Sequence, residues 1–308
     1  MLQYLTVINM NKQKFKSTAS LFLATIIWGF AFIAQSVGME RIGPLTFQAA
    51  RCGLAVVFLF CVCPILEAGK CSLRESLKKW ADPKLWKAGI LCGLALFVAA
   101  SLQQIGLVST DAGKAGFITA MYIVLVPVLG IFLGRKIPKA AVFSVILAVA
   151  GLYLLSAMGA SGINTGDLCL MGCALAFAVQ ITFVDRMAQD LDGIRLNCIQ
   201  ALTVTVISLP CAFFTETIVI SDLLACWGPL MFAGVLSMGV AYSLQIVGQK
   251  ALEPTTASLI MSLESVFAAL GGAWLLQERM TLFELLGCCL VFAGVVISQL
   301  PERKKNND

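Results

Sequence analysis

Apolar stretches of about twenty residues recur along this chain, beginning near Ser17, Pro44, Leu85, Gly113, Pro138, Asp167, Ile194, Ala225, Pro254 and Thr281. A bilayer core of about 30 Å needs about 20 helical residues to cross it, so the pattern predicts ten crossings in two sets of five. An odd number of crossings leaves the chain on the opposite face. A second half that repeats the first therefore enters the membrane upside down. Two inverted repeats around a site near the midplane is a common plan for secondary transporters.

Charge supports the count. Only 13% of the 308 residues are charged, about half the share usual in soluble domains. With the N-terminus inside, three of the 22 Lys and Arg (Arg41, Lys114 and Arg279) fall outside, Arg51 falls within a span, and the remaining 18 fall inside. That asymmetry is a positive-inside signal. It predicts that both termini are cytoplasmic, and it accounts for the net charge of +5 without a nucleic-acid partner. Lys12 to Lys16 followed by Leu21 to Phe30 has the outline of a secretory signal. The apolar run continues to Val37 without a small-x-small cleavage site, so it is read as an uncleaved first crossing.

The fold expected is therefore an all-α polytopic membrane protein of ten transmembrane helices. The first repeat covers 17–158 and the second 167–300, with cytoplasmic tails at 1–16 and 301–308. Landmarks align the halves: 113–158 matches 256–300 at an offset of 143, and Trp28 matches Phe177 at an offset of 149. Period-2 alternation is absent, so an outer-membrane barrel is not supported. Backbone in lipid must bond within its own segment, which leaves helices. Gly89/Gly93 and Gly130/Gly134 are small-x-x-x-small pairs; such pairs permit close packing inside the bundle or at a homodimer face.

Two charges lie deep in apolar spans. Arg51 is seven residues past Pro44, about 10 Å below the outer boundary at 1.5 Å per residue. Glu264 is ten residues past Pro254, about 15 Å in and near the midplane. Each costs roughly 2.5–3.5 kcal/mol to insert. Either the two line the substrate path, or they form a buried pair that locks helix register. A mid-membrane carboxylate also opens a route to proton coupling. Lys114 starts the fourth crossing, where it either snorkels to the interface or meets an anionic substrate group. Trp28, Tyr122, Gln180, Gln200 and Tyr242 complete the candidate path. They belong to a wider polar set that includes Gln35, Gln48, Gln103, Gln104, Thr119, Gln245 and Ser262. Amides, hydroxyls and aromatic faces suit a small polar or zwitterionic solute; the alternative is interhelical bonding.

Other classes lack their chemistry. The chain contains no His, and its twelve Cys show no C-x-x-C spacing, so no zinc site or other metal centre is predicted. Every Asp falls in or beside a connection, and no nucleophile elbow appears. A membrane enzyme is therefore disfavoured, and no cofactor is expected. A channel would need a filter-like loop or charged ring. A flippase-type or accessory subunit for lipid-linked sugars is the remaining alternative.

Trp28-Gly29, Phe47-Gln-Ala-Ala-Arg51, Ser262-Leu-Glu-Ser-Val-Phe-Ala268, Leu276-Gln-Glu278-Arg279 and the pairs Ala150-Gly151 and Ala293-Gly294 occur in that order. On these strings the chain resembles the EamA family of the drug/metabolite transporter superfamily over nearly all of 17–300. It departs at Ser265, where members often have Pro, and at Gln277, where they often have Gly. The resemblance implies two five-helix EamA repeats in a prokaryotic cytoplasmic membrane. It also implies export of amino acids or related metabolites.

Overall fold

In lipid a helix must satisfy its own backbone, and here the sequence also supplies the ends. The computed structural model describes residues 2–110, 112–156, 164–275 and 280–299, with the side chains of 2–11 and 156 excepted. These residues form helices and no strand. The junction expected at 158–166 is described only from Asn164 onward. The Leu276–Arg279 string lies outside the described residues.

In chain order the helices are α1 (Leu2–Met39), α2 (Pro44–Glu67), α3 (Leu73–Lys78), α4 (Pro83–Leu107), α5 (Ala112–Ala120), α6 (Tyr122–Phe132), α7 (Lys139–Ser156) and α8 (Thr165–Met187). They continue as α9 (Gly193–Thr215), α10 (Ile220–Ala225), α11 (Trp227–Met231), a π-helical segment (Phe232–Ala241), α12 (Tyr242–Gln249), α13 (Pro254–Met261), α14 (Leu263–Leu275) and α15 (Leu282–Gln299). Among the described residues nine spans are long and apolar enough to cross a membrane, and Lys139–Leu155 is a shorter apolar helix. The first helix begins at Leu2, so most of the expected tail at 1–16 continues the helix of the first span.

Proline and side-chain caps set the starts. Pro44, Pro83 and Pro254 open their helices, where the missing N–H costs nothing. Ser72/Glu75 and Asn164/Asp167 form reciprocal capping boxes at α3 and α8. Two spans are built from half-helices, α5/α6 interrupted at Met121 and α13/α14 at Ser262.

The bundle has one end rich in basic residues and an opposite end. Helices α2 and α9 run antiparallel and are tied at both. At the basic end the buried Arg195 guanidinium donates to both Glu67 oxygens at 3.0 and 2.7 Å and to Ser76 Oγ at 2.9 Å. Trp80 lies 5.5 Å from the same guanidinium. These contacts seat α3 on the helix ends. Arg195 and Glu67 lie 128 positions apart in the sequence. At the opposite end the Glu216 carboxylate caps α2, accepting from the Leu45 N–H at 2.8 Å, the Thr46 N–H at 2.8 Å and the Thr46 hydroxyl at 2.6 Å. An anion there complements the positive end of the α2 dipole.

Glycine sets a close crossing between α7 and α15. A Cβ on Gly151 would stand 2.6 Å from the Gly287 carbonyl oxygen, and a Cβ on Gly287 would stand 2.6 Å from that of Gly151. Gly89 and Gly93 of α4 pack on Ile199 and Thr203 of α9, inside the chain. Gly130 and Gly134 do not act as a packing pair. Gly134 has φ +77° and ends α6, the Arg135 N–H returning to the Gly130 carbonyl at 2.9 Å.

Gly151→Val would drive side-chain atoms into backbone, which should cost about 1–3 kcal/mol. Gly53→Ala, whose added Cβ meets only Thr205 Cγ2 at 3.7 Å, should be neutral. Thermal unfolding of the two variants in detergent should separate them clearly, with only the first losing stability.

Candidate functional site

Burial in the middle of the bundle is polar. A cavity lies between α1, α2, α4, α6, α8, the π segment, α12, α13 and α14. Its free space is about 30 Å³, room for one or two waters. Trp28, Arg51, Tyr122, Tyr242 and Glu264 line it, so five of the eight predicted path residues meet at one place. On α1 the lining residues are Trp28, Phe32 and Gln35, a spacing that puts them on one face of a helix.

The two deep charges share the cavity, yet each is hydrogen-bonded to a neutral partner. Arg51 donates from Nη1 to Gln35 Oε1 at 2.5 Å. Gln104 Nε2 donates to the same oxygen. Glu264 accepts from the Tyr122 hydroxyl at 3.0 Å. Arg51 is 3% exposed and Glu264 6%, so both face the bundle interior, as the cost of a lipid-facing charge demands. Tyr122 and Glu264 each stand just after a helix interruption, one residue past Met121 and two past Ser262. Trp28 and Tyr242 form an edge-on aromatic wall, with centroids 5.0 Å apart. Phe177 stands edge-on to Tyr122 at 6.4 Å.

Gln180 and Gln200 are buried behind the lining, in a chain of amides that reaches it through Gln245. Lys114 is elsewhere. It pairs with Asp167 at 2.7 Å, at the end opposite the basic one. The same carboxylate accepts from the Thr110 hydroxyl at 3.2 Å and from the Asn164 N–H at 3.0 Å. Lys114 thus ties α5 to the start of α8, a role neither of its two expected readings contained. Gln35, Gln103 and Gln245 belonged to the wider polar set but not to the predicted path; all three line the cavity, as do Phe177 and Ser237. The spacing from Trp28 would have selected Gln35. No local signal marks Ser237.

Crevices approach from both ends. At the basic end about 220 Å³ lies among Gly130, Arg135, Thr182 and the start of α13. Arg135 there pairs with Asp185 and stands 3.9 Å from Glu253. At the opposite end about 730 Å³ lies among Ile33, Ser36, Gly113, Ala268 and Gly272.

Membrane-length helices around a buried polar cavity define a multi-pass membrane protein with an internal site. The chain matches the EamA-like transporter family twice, over residues 16–157 and 164–300, and belongs to that family. It is a transporter of the drug/metabolite transporter superfamily, not an enzyme. It is 30% identical to an uncharacterized transporter of Archaeoglobus fulgidus over 91% of this chain and 84% of the relative. It is 25% identical to the uncharacterized transporter YoaV of Bacillus subtilis over 92% and 96%. It is also 29% identical to the threonine/homoserine exporter RhtA of Salmonella typhimurium, over 52% of this chain and 55% of the relative. A protein of known crystal structure shares the fold, with a TM-score of 0.75 over 92% of this chain and 96% of the other at 19% identity.

Tyr122→Phe removes a hydroxyl donor to Glu264 while keeping the ring. An interhelical bond of this kind is worth about 0.6 kcal/mol in a membrane. The variant should therefore reach wild-type abundance within about twofold, and a melting curve should show only a small loss.

Proposed function

We propose that this protein is a secondary carrier that exports an amino acid or a related small zwitterion across the cytoplasmic membrane of a prokaryote. One observation carries the reading. One cavity presents a cation, Arg51, and a carboxylate, Glu264, between aromatic walls. A zwitterion offers the complementary pair of charges. The RhtA relative is named a threonine/homoserine exporter, which favours the same solute class.

The transport cycle is alternating access between two inverted halves, 17–158 and 167–300, each crossing five times. Both termini and the basic end then face the cytoplasm, in keeping with the positive-inside rule. Paired packing supports the inverted repeat. Helix α4 packs on α8 as α12 and the π segment pack on α1, and α6 packs on α8 as α14 packs on α1. Helices α2 with α9 and α7 with α15 are each matched to the other. The fourth span of each half is interrupted, at Met121 and at Ser262, and a crevice lies toward each end of the bundle. Binding shifts the balance between states only by differential affinity for them.

Counterflow from loaded proteoliposomes against a panel of L-amino acids tests the reading. Saturable, trans-stimulated movement of an unmodified amino acid is expected. Glu264→Gln should cut the rate by at least about tenfold with membrane abundance unchanged, since an interaction worth 1.4 kcal/mol or more is lost. Equal loss of folded protein would assign Glu264 to structure instead. Non-saturating flux would replace the carrier with a channel.

A further inference from the structure

Backbone carbonyls accept hydrogen bonds and cannot donate them. This asymmetry fixes the direction of a chain of four side-chain amides beside the cavity. Asn197 Nδ2 donates to the carbonyls of Met238 at 2.8 Å and Gly239 at 3.1 Å, both in the π segment. Asn197 is therefore oriented with Oδ1 away from them, and that oxygen accepts from Gln200 Nε2 at 3.3 Å. Gln200 Oε1 in turn accepts from Gln180 Nε2 at 3.0 Å, and Gln180 Oε1 accepts from Gln245 Nε2 at 3.1 Å. Flipping any one amide would set donor against donor or acceptor against acceptor along the line. The chain ends on Gln245 Oε1, which is buried and has no hydrogen-bond partner among the described residues. Gln245 lines the cavity and is 2% exposed.

A second anchor works the same way across the cavity. Gln35 Nε2 donates to the Ala31 carbonyl at 3.0 Å. Its Oε1 must then face Arg51, which donates to it from Nη1. Arg51 Nε and Trp28 Nε1 are left as buried donors without partners, and both residues line the cavity. Buried polar atoms are rarely left unpaired, so each such atom in a native structure calls for a reason. Here the cavity carries unpaired donors on Trp28 and Arg51 and an unpaired acceptor on Gln245.

We infer that the cavity, widened from the contracted state seen here, accepts its solute in one orientation, with the carboxylate at Trp28 Nε1 and Arg51 Nε and the ammonium at Gln245 Oε1 and Glu264. Gln180, Gln200 and Asn197 are positioning residues. They transmit the fixed polarity of the π-segment carbonyls to the Gln245 oxygen. This rests on the zwitterion reading above and adds to it which residues read which end. Gln245 and its chain thus become the part of the site that recognises the amine.

The test uses full-length protein in proteoliposomes and three probes: the L-amino acid with the strongest counterflow, its N-acetyl derivative and its methyl ester. Wild type should prefer the free amino acid to both. Gln245→Leu should raise KM for the free amino acid about tenfold, the scale of one lost hydrogen bond to a charged group. The N-acetyl derivative should be little affected, so discrimination against it collapses while discrimination against the ester persists. Gln200→Leu, which touches no solute, should shift the same ratio in the same direction by a smaller factor, a change that loss of folded protein would not produce. Gln245→Glu should restore the preference for a free amine. Arg51→Gln should relax discrimination against the ester only. The inference is overturned if Gln245 and Gln200 variants change ester discrimination instead, or change neither ratio. Absence of amino-acid counterflow by wild type overturns the zwitterion reading itself, and this inference with it.

Discussion

Backbone carbonyls inside hydrocarbon have no water to turn to, and this constraint organises the centre of the molecule. Along regular helices the carbonyls are consumed by their own segment. Where the π segment departs from the regular ladder, Met238 and Gly239 offer oxygens to a side chain, and Asn197 takes both. Gln35 shares the carbonyl of Ala31, one turn back in its own helix. From these fixed acceptors the orientation of Gln35 and of the chain Asn197, Gln200, Gln180 and Gln245 follows. The polar interior is a directed network in which each member has little choice of rotamer.

The same constraint explains what could be read from the residues alone. Membrane-length apolar runs were legible because lipid imposes length on any sequence that crosses it. Arg51 and Glu264 were legible because a charge in an apolar span is rare and faces inward. The role of Lys114 was not, because Asp167 lies 53 positions away and reads as an ordinary helix cap. Gln245 was not singled out either. Twelve polar or aromatic residues in apolar helices look alike until packing shows which end a chain and which sit within it. The interruptions at Met121 and Ser262 carry neither Gly nor Pro, so nothing local announced them.

The contacts that tie the helices together lie away from the cavity. Helices α2 and α9 are secured at both ends by Glu67 with Arg195 and by Glu216 with the α2 N-terminus. Helices α7 and α15 are locked by mutual glycine contacts. None of these residues lines the cavity. The charged ties at the ends hold antiparallel elements in register, which leaves the central residues free to be chosen for recognition.

The interrupted spans divide the work between the two faces. The wide crevice touches α5 and α14, and the narrow one touches α6 and α13. Each passage is therefore walled by the near halves of two spans, and the joints sit beside Tyr122 and Glu264. The two interruptions and the cavity lining therefore meet at the same pair of side chains, so a change of angle at either joint would be felt first by the Tyr122–Glu264 hydrogen bond.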